Sequence, residues 1–100
     1  PGYGLIDNRD GIKKRKAFFA FQFMITLLKN AIFVKYIEKN GLYSLVFKKE
    51  NQEIIAIWRN EGESEYEINQ KTKVFLITGE EIAANKKITI DKSVKYLVIG

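Results

Sequence analysis

From Ile32 to the C-terminus, no stretch between turn signals is longer than eight residues. Runs this short make strands rather than helices, and connections of two to five residues favour antiparallel neighbours, because parallel pairing needs long crossovers. The clearest signal is Asn40-Gly41, between Ile32–Lys39 and Leu42–Lys49. Both residues tolerate positive φ, so the dipeptide predicts a two-residue type I′ hairpin. Six further strands are predicted at Glu53–Arg59, Glu63–Ile68, Lys73–Ile77, Glu80–Ala84, Lys87–Ile90 and Val94–Ile99. Many short antiparallel strands form a sandwich or a barrel, and the expectation is a mainly β chain with an antiparallel sandwich of seven to eight strands.

Alternation along these strands selects a core of Tyr43, Leu45, Phe47, Ile55, Ile57, Phe75, Ile77, Ile88, Ile90, Leu97 and Ile99. In Glu63–Ile68 three glutamates share one face while Ser64, Tyr66 and Ile68 share the other. Three carboxylates resist burial, so this strand is expected at a protected edge.

Ahead of the strands the period changes. Lys14–Lys29 contains neither Gly nor Pro, and Phe18, Phe21, Ile25 and Leu28 fall on one face of a 3.6-residue repeat. Phe19, Phe23 and Met24 widen the apolar surface, leaving Gln22 and Thr26 as its polar remainder. One amphipathic helix is predicted here, apolar around most of its circumference. A helix of that kind is usually buried on more than one side, which one small sandwich cannot accomplish. Phe18, Phe19, Phe21, Phe23 and Met24 are therefore the candidate domain-interface residues. The division expected is 1–30, loop and helix left from a preceding domain, and 31–100, the sandwich. Pro1 in place of methionine fits a piece of a longer chain.

Composition removes several chemistries. The 100 residues include no cysteine and no histidine. Disulfides, thiolate nucleophiles and the commonest general base and metal ligand are thereby excluded. Absent cysteine suits a reducing compartment such as the cytoplasm. Ser44, Ser64 and Ser93 have no histidine to activate them. Glu61, Glu63, Glu65 and Glu67 lie on a polar face, with no apolar pocket to raise a pKa toward acid catalysis. Asp7-Asn8-Arg9-Asp10-Gly11 fails as a calcium loop, since Arg9 takes a ligand position and no glutamate follows before Glu38. Gly2-Tyr3-Gly4 lacks the third glycine of a dinucleotide loop. The reading is non-enzymatic, with no catalytic residue, metal or cofactor.

The net charge of +5 raises nucleic-acid binding, with Lys13–Lys16 as the only basic run. Elsewhere the lysines are interleaved with glutamate and read as a solvated surface. The same run followed by Ala17–Leu28 imitates a signal peptide, but it sits inside the chain and no small-residue cleavage site follows. After about 12 apolar residues Lys29 and Asn30 interrupt it, short of the ~20 needed to span a membrane, so no membrane partner is expected. Trp58, the only tryptophan, follows the apolar run Ile54-Ile55-Ala56-Ile57. Core packing is the ordinary role of such a residue, and a sugar-stacking platform is the functional one.

Certain segments match a known order. Tyr3-Gly4-Leu5-Ile6-Asp7 looks like a final barrel strand running into its loop, and Arg15-Lys16-Ala17-Phe18 like the opening of the last barrel helix. Gly41–Phe47, Ile55-Ala56-Ile57-Trp58 and Val94-Lys95-Tyr96-Leu97 then follow a sandwich pattern, with Lys16 and Lys95 where that pattern carries proline. The chain resembles the C-terminal end of clan-A (β/α)8-barrel glycoside hydrolases that carry a β-sandwich after the barrel. The resemblance implies a non-catalytic accessory domain that stabilises or frames a barrel whose catalytic carboxylates lie on strands outside this chain. Its expected partner is that barrel, with self-association through the exposed helix face when the barrel is absent. The alternative is an independent binding module, for carbohydrate through Trp58 or for nucleic acid through Lys13–Lys16.

Overall fold

Asn40 (φ 53°) and Gly41 (φ 82°) both adopt left-handed backbone, closing the hairpin that their sequence predicts. A side chain at Gly41 would meet Asn60 Oδ1 at 2.8 Å, a second reason for glycine there. The hairpin belongs to a computed structural model that describes residues 11–100. The Tyr3–Asp7 segment, the Asp7–Asp10 stretch, and the side chains of Lys13, Lys14 and Lys16 lie outside the described residues.

One helix precedes eight strands among the described residues. The helix α1 spans Gly11–Leu28. It stops where Asn30 turns left-handed at φ 65° and the Ala31 N–H donates to the Leu28 carbonyl. The strands are β1 (Ile32–Lys39), β2 (Leu42–Lys49), β3 (Gln52–Arg59), β4 (Ser64–Glu67), β5 (Thr72–Leu76), β6 (Glu81–Ile82), β7 (Lys87–Ile90) and β8 (Lys95–Ile99). All pairings are antiparallel. A six-stranded sheet runs β1-β2-β3-β8-β5-β6, and β4 pairs with β7 in a second sheet. The chain is thus mainly β, sandwich-like, with one helix in front, as its periodicity predicts.

The core lies between the two sheets. Val46, Ile55, Ile57, Val74, Leu97, Ile88 and Ile90 form it, with Tyr66, Ile68, Ile82 and Ile99 packed at its margin. Glu63, Glu65 and Glu67 point to solvent while Tyr66 and Ile68 turn inward, and β4 is an edge strand, as its glutamates require.

The expected core is corrected in part. Val46 is the direct partner of Ile55, and Ser44 of Ile57. Partners across an antiparallel pair share a face, so Tyr43, Leu45 and Phe47 point the other way, with Ile54, Ala56 and Trp58. Phe75, opposite Tyr96, is on that second face too. α1 packs on this face through Phe75 and Tyr96, and β3 is buried on both sides, with Ile54, Ile55, Ala56 and Ile57 all in the interior. A strand apolar on both faces gives alternation nothing to distinguish.

The helix docks by an unexpected stripe. Phe23 packs on Phe75 (ring centroids 5.4 Å) and Tyr96 (5.7 Å), while Ala17, Ala20, Met24 and Leu27 are half-buried. Phe18, Phe21 and Ile25 are half exposed instead. A helix apolar nearly all round has two stripes of helical spacing. Small residues at Ala17 and Ala20 let the backbone approach more closely than the phenylalanines would. Lys49 Nζ then donates to the Leu27 carbonyl at 3.0 Å, placing a cation at the negative end of the helix dipole.

Candidate functional site

Among the described residues, two exposed apolar surfaces remain after folding. The first is the outer side of α1, where Phe18, Phe19, Phe21 and Ile25 are each about half exposed and the Phe18 and Phe19 rings meet edge to face at 5.7 Å. Of the residues singled out as an interface from sequence, Phe18, Phe19 and Phe21 lie here. Met24 is half-buried, and Phe23 is on the sheet side.

The second surface is β1, exposed along its whole length. Ile32 is 70% exposed, and Phe33, Val34, Tyr36 and Ile37 are all open to solvent. An extra residue at Val34 bulges the strand, since Phe33 pairs with Phe47 but Lys35 with Val46.

Trp58 is half-buried and continues β1's surface inward. Its indole lies nearly parallel to the Tyr43 ring (5.6 Å, 15°), and Tyr43 nearly parallel to Tyr36 (6.4 Å, 22°). The type I′ turn fixes this row, because it sets Glu38 opposite Tyr43 and thereby puts Tyr36 on the same face two residues away. Tyr36 and Tyr43 were legible as neighbours from Asn40-Gly41 alone, although composition directs attention only to Trp58. Loss of hydration raises the Tyr36 pKa above its ordinary value, with Tyr43 and the Glu38 carboxylate adding to the effect.

Arg59 secures the loops at this end. Its Nη2 donates to the Asn40 carbonyl and its Nε to the Glu61 carbonyl, both at 3.1 Å, and Nη1 reaches Ser64 Oγ at 3.5 Å. On the far side of the same sheet, Lys95 is buried to 9% exposure and pairs with Asp91 at 3.3 Å. The Ser93 N–H donates to the same Asp91 oxygen, and this bond, helped by Lys95, lowers the Asp91 pKa. Nothing in the sequence pattern announces this pair.

The carboxylates do not converge. Glu65 pairs with Lys87 at 3.5 Å on the exposed side of the small sheet. Among the described residues no group of carboxylates is arranged to hold a metal ion, and no helix is long and apolar enough to cross a membrane. The cleft between Tyr66, Asn69, Thr72 and Leu97 holds about 70 Å³, and a hollow bounded by Glu67, Ile68, Asn69, Lys86 and Lys87 holds about 390 Å³. Small-molecule sites commonly hold roughly 300 Å³ or more and are lined mostly by apolar and aromatic side chains, whereas the larger hollow is lined mainly by Glu67, Asn69, Lys86 and Lys87 and has Ile68 as its one apolar wall.

No protein-family model, no curated protein and no solved structure matches the chain.

Proposed function

We propose that this chain is a non-catalytic accessory sandwich that docks through the outer side of α1 onto a neighbouring domain. The observation that carries the reading is the set of Phe18, Phe19, Phe21 and Ile25, half exposed on a helix whose opposite stripe already packs on the sheet. Burying a phenylalanine side chain fully is worth roughly 1.5–3 kcal/mol, so covering this face supplies several kcal/mol toward a stable interface. The resemblance in element order makes a glycoside-hydrolase-like (β/α)8 barrel the neighbour of choice. In that arrangement the sandwich braces the barrel and does no chemistry itself.

The coding sequence upstream of Pro1 tests this directly. Several hundred residues of alternating strand and helix pattern are expected, and a start codon immediately before Pro1 would overturn the reading. In the full-length protein, Phe18→Ser with Phe21→Ser should lower the melting temperature of the preceding domain.

A carbohydrate-binding module is the second reading, and the row Tyr36–Tyr43–Trp58 favours it. Titrating soluble oligosaccharides against Trp58 fluorescence checks it, and saturable quenching lost in Tyr43→Ala is the supporting result.

A further inference from the structure

The two edges of the large sheet are built differently. At one end β6 is only two residues long, a common way to blunt an edge. At the other, β1 offers eight residues whose outward backbone N–H and C=O groups have no strand beside them among the described residues, under a surface of Ile32, Phe33, Val34, Tyr36 and Ile37. A row of unpaired peptide groups between apolar side chains calls for another strand. We infer that β1 pairs antiparallel with β1 of a second copy of this chain, about a two-fold axis at Tyr36, joining two six-stranded sheets into one.

The charges on β1 select that register. Residues opposite one another in an antiparallel pair share a face, so the axis passes through a residue of β1. An axis at Lys35, Glu38 or Lys39 would set that charge against itself, and one at Ile37 would set Lys35 against Lys39. Like charges directly opposite are destabilising. Axes at 32–34 centre the pairing on the bulge at Val34, whereas an axis at Tyr36 moves the bulge to the outer ends of the paired segment. An axis at Tyr36 sets Lys35 against Ile37 and Val34 against Glu38, with no like charges opposed.

The same register completes the aromatic row. Trp58, Tyr43 and Tyr36 lie nearly parallel across three strands, and the row stops at Tyr36, 54% exposed on the edge strand. A second copy puts its own Tyr36 opposite, extending the row from three rings to six. The area is at the small end for a dimer. Two of the five exposed β1 side chains are aromatic, each burying about 150–250 Å² in full, and together with the three aliphatic ones, at 41–70% exposure, they present roughly 500 Å² toward the roughly 800 Å² per partner of a standard dimer. The net charge of +5 on each copy opposes association at long range, so the dimer should tighten with salt.

Sedimentation equilibrium on the 100-residue chain tests the inference. A monomer–dimer equilibrium is expected for the unaltered chain. Tyr36→Glu and Tyr36→Lys should each weaken it at least about tenfold by opposing like charges, and an equimolar mixture of the two should restore the dimer. Rescue by mixing is specific to an axis at Tyr36. Should either charged variant unfold, Tyr36→Cys gives an independent measurement, because the chain has no other thiol. Air oxidation should trap it as a disulfide-linked dimer far faster than Lys48→Cys. A chain monomeric at all concentrations would overturn the inference. So would a dimer indifferent to both charged variants but lost in Phe19→Asp with Phe21→Asp, since that places association on α1.

Discussion

The Phe23 ring rests on Gly79: a Cβ added to that glycine would lie 2.8 Å from Phe23 Cδ1. Gly79 also has φ 97°, outside the range of ordinary side chains. The Gly79 N–H donates to the Leu76 carbonyl, and the Leu76 N–H to the Glu80 carbonyl, so this turn holds the β5–β6 hairpin while providing the flat seat for the helix. Helix docking thus depends on a turn more than fifty residues downstream.

Gly79→Ala should therefore cost about 1–3 kcal/mol from backbone strain and contact with Phe23 together. Thermal unfolding followed by circular dichroism checks this. Helical signal lost before strand signal is expected, because α1 loses its main anchor while the sandwich core is untouched.

Strand positions were readable because each is bounded by its own turn chemistry, and the Asn40-Gly41 register followed from the same chemistry. The side facing the core is readable on β7 and β8, where Ile88, Ile90 and Leu97 point inward as expected, but not on β2 or β5. Ile54-Ile55-Ala56-Ile57 is apolar at every position, and all four side chains are in the interior, so β3 offers no polar face to contrast with an apolar one. The helix posed the same problem, since Phe18–Phe21–Ile25 and Ala20–Phe23–Leu27 both have helical spacing. Only the shape of the sheet, with Phe75, Tyr96 and Gly79 forming a seat for one ring, decides between them. The pairing of β3 with β8 joins residues some forty positions apart, and no local signal encodes it.

Glu50 is a site for gain. It stands at φ 56° in the two-residue turn between Lys49 and Gln52, a conformation that costs a side-chain-bearing residue about 1 kcal/mol. Glu50→Gly removes that strain but frees the unfolded chain, so a net stabilisation of roughly 0.5 kcal/mol is expected. Urea denaturation should show a higher midpoint with an unchanged slope.

Asp91 sets a pH dependence. Its pKa is lowered in the folded state by the Ser93 N–H and then by Lys95. A carboxylate depressed by folding contributes its full stabilisation above the unfolded pKa and loses it as pH falls through the folded one. Asp91→Asn should accordingly be less stable than the unaltered chain at pH 7. The difference should shrink from about pH 4 downward, since the ordinary carboxyl titrates near there. Because the Asp91 side chain is 39% exposed, the effect will be screened by salt. Denaturation midpoints of both proteins from pH 2 to 7 check it, and a gap that widens in acid would contradict this account.

The two sides of α1 should answer mutation in opposite ways. Phe23 touches Phe75, Tyr96 and Gly79, so Phe23→Ala removes contacts that the fold uses. Full burial would make that change cost 3–5 kcal/mol, and a half-buried ring should lose about 2–3. Phe18 and Phe21 have no such seat, and exposed substitutions away from special features usually stay within about 0.5 kcal/mol. Phe18→Ser and Phe21→Ser should therefore leave the midpoint of the isolated chain almost unchanged and reduce its binding of a hydrophobic dye. In the presence of the proposed neighbouring domain the order changes: the same serine variants become destabilising, because a surface idle in the isolated chain is then buried. Equal costs for Phe21→Ser and Phe23→Ala in the isolated chain would mean that the helix docks by its other stripe, and the docking face would have to be redrawn.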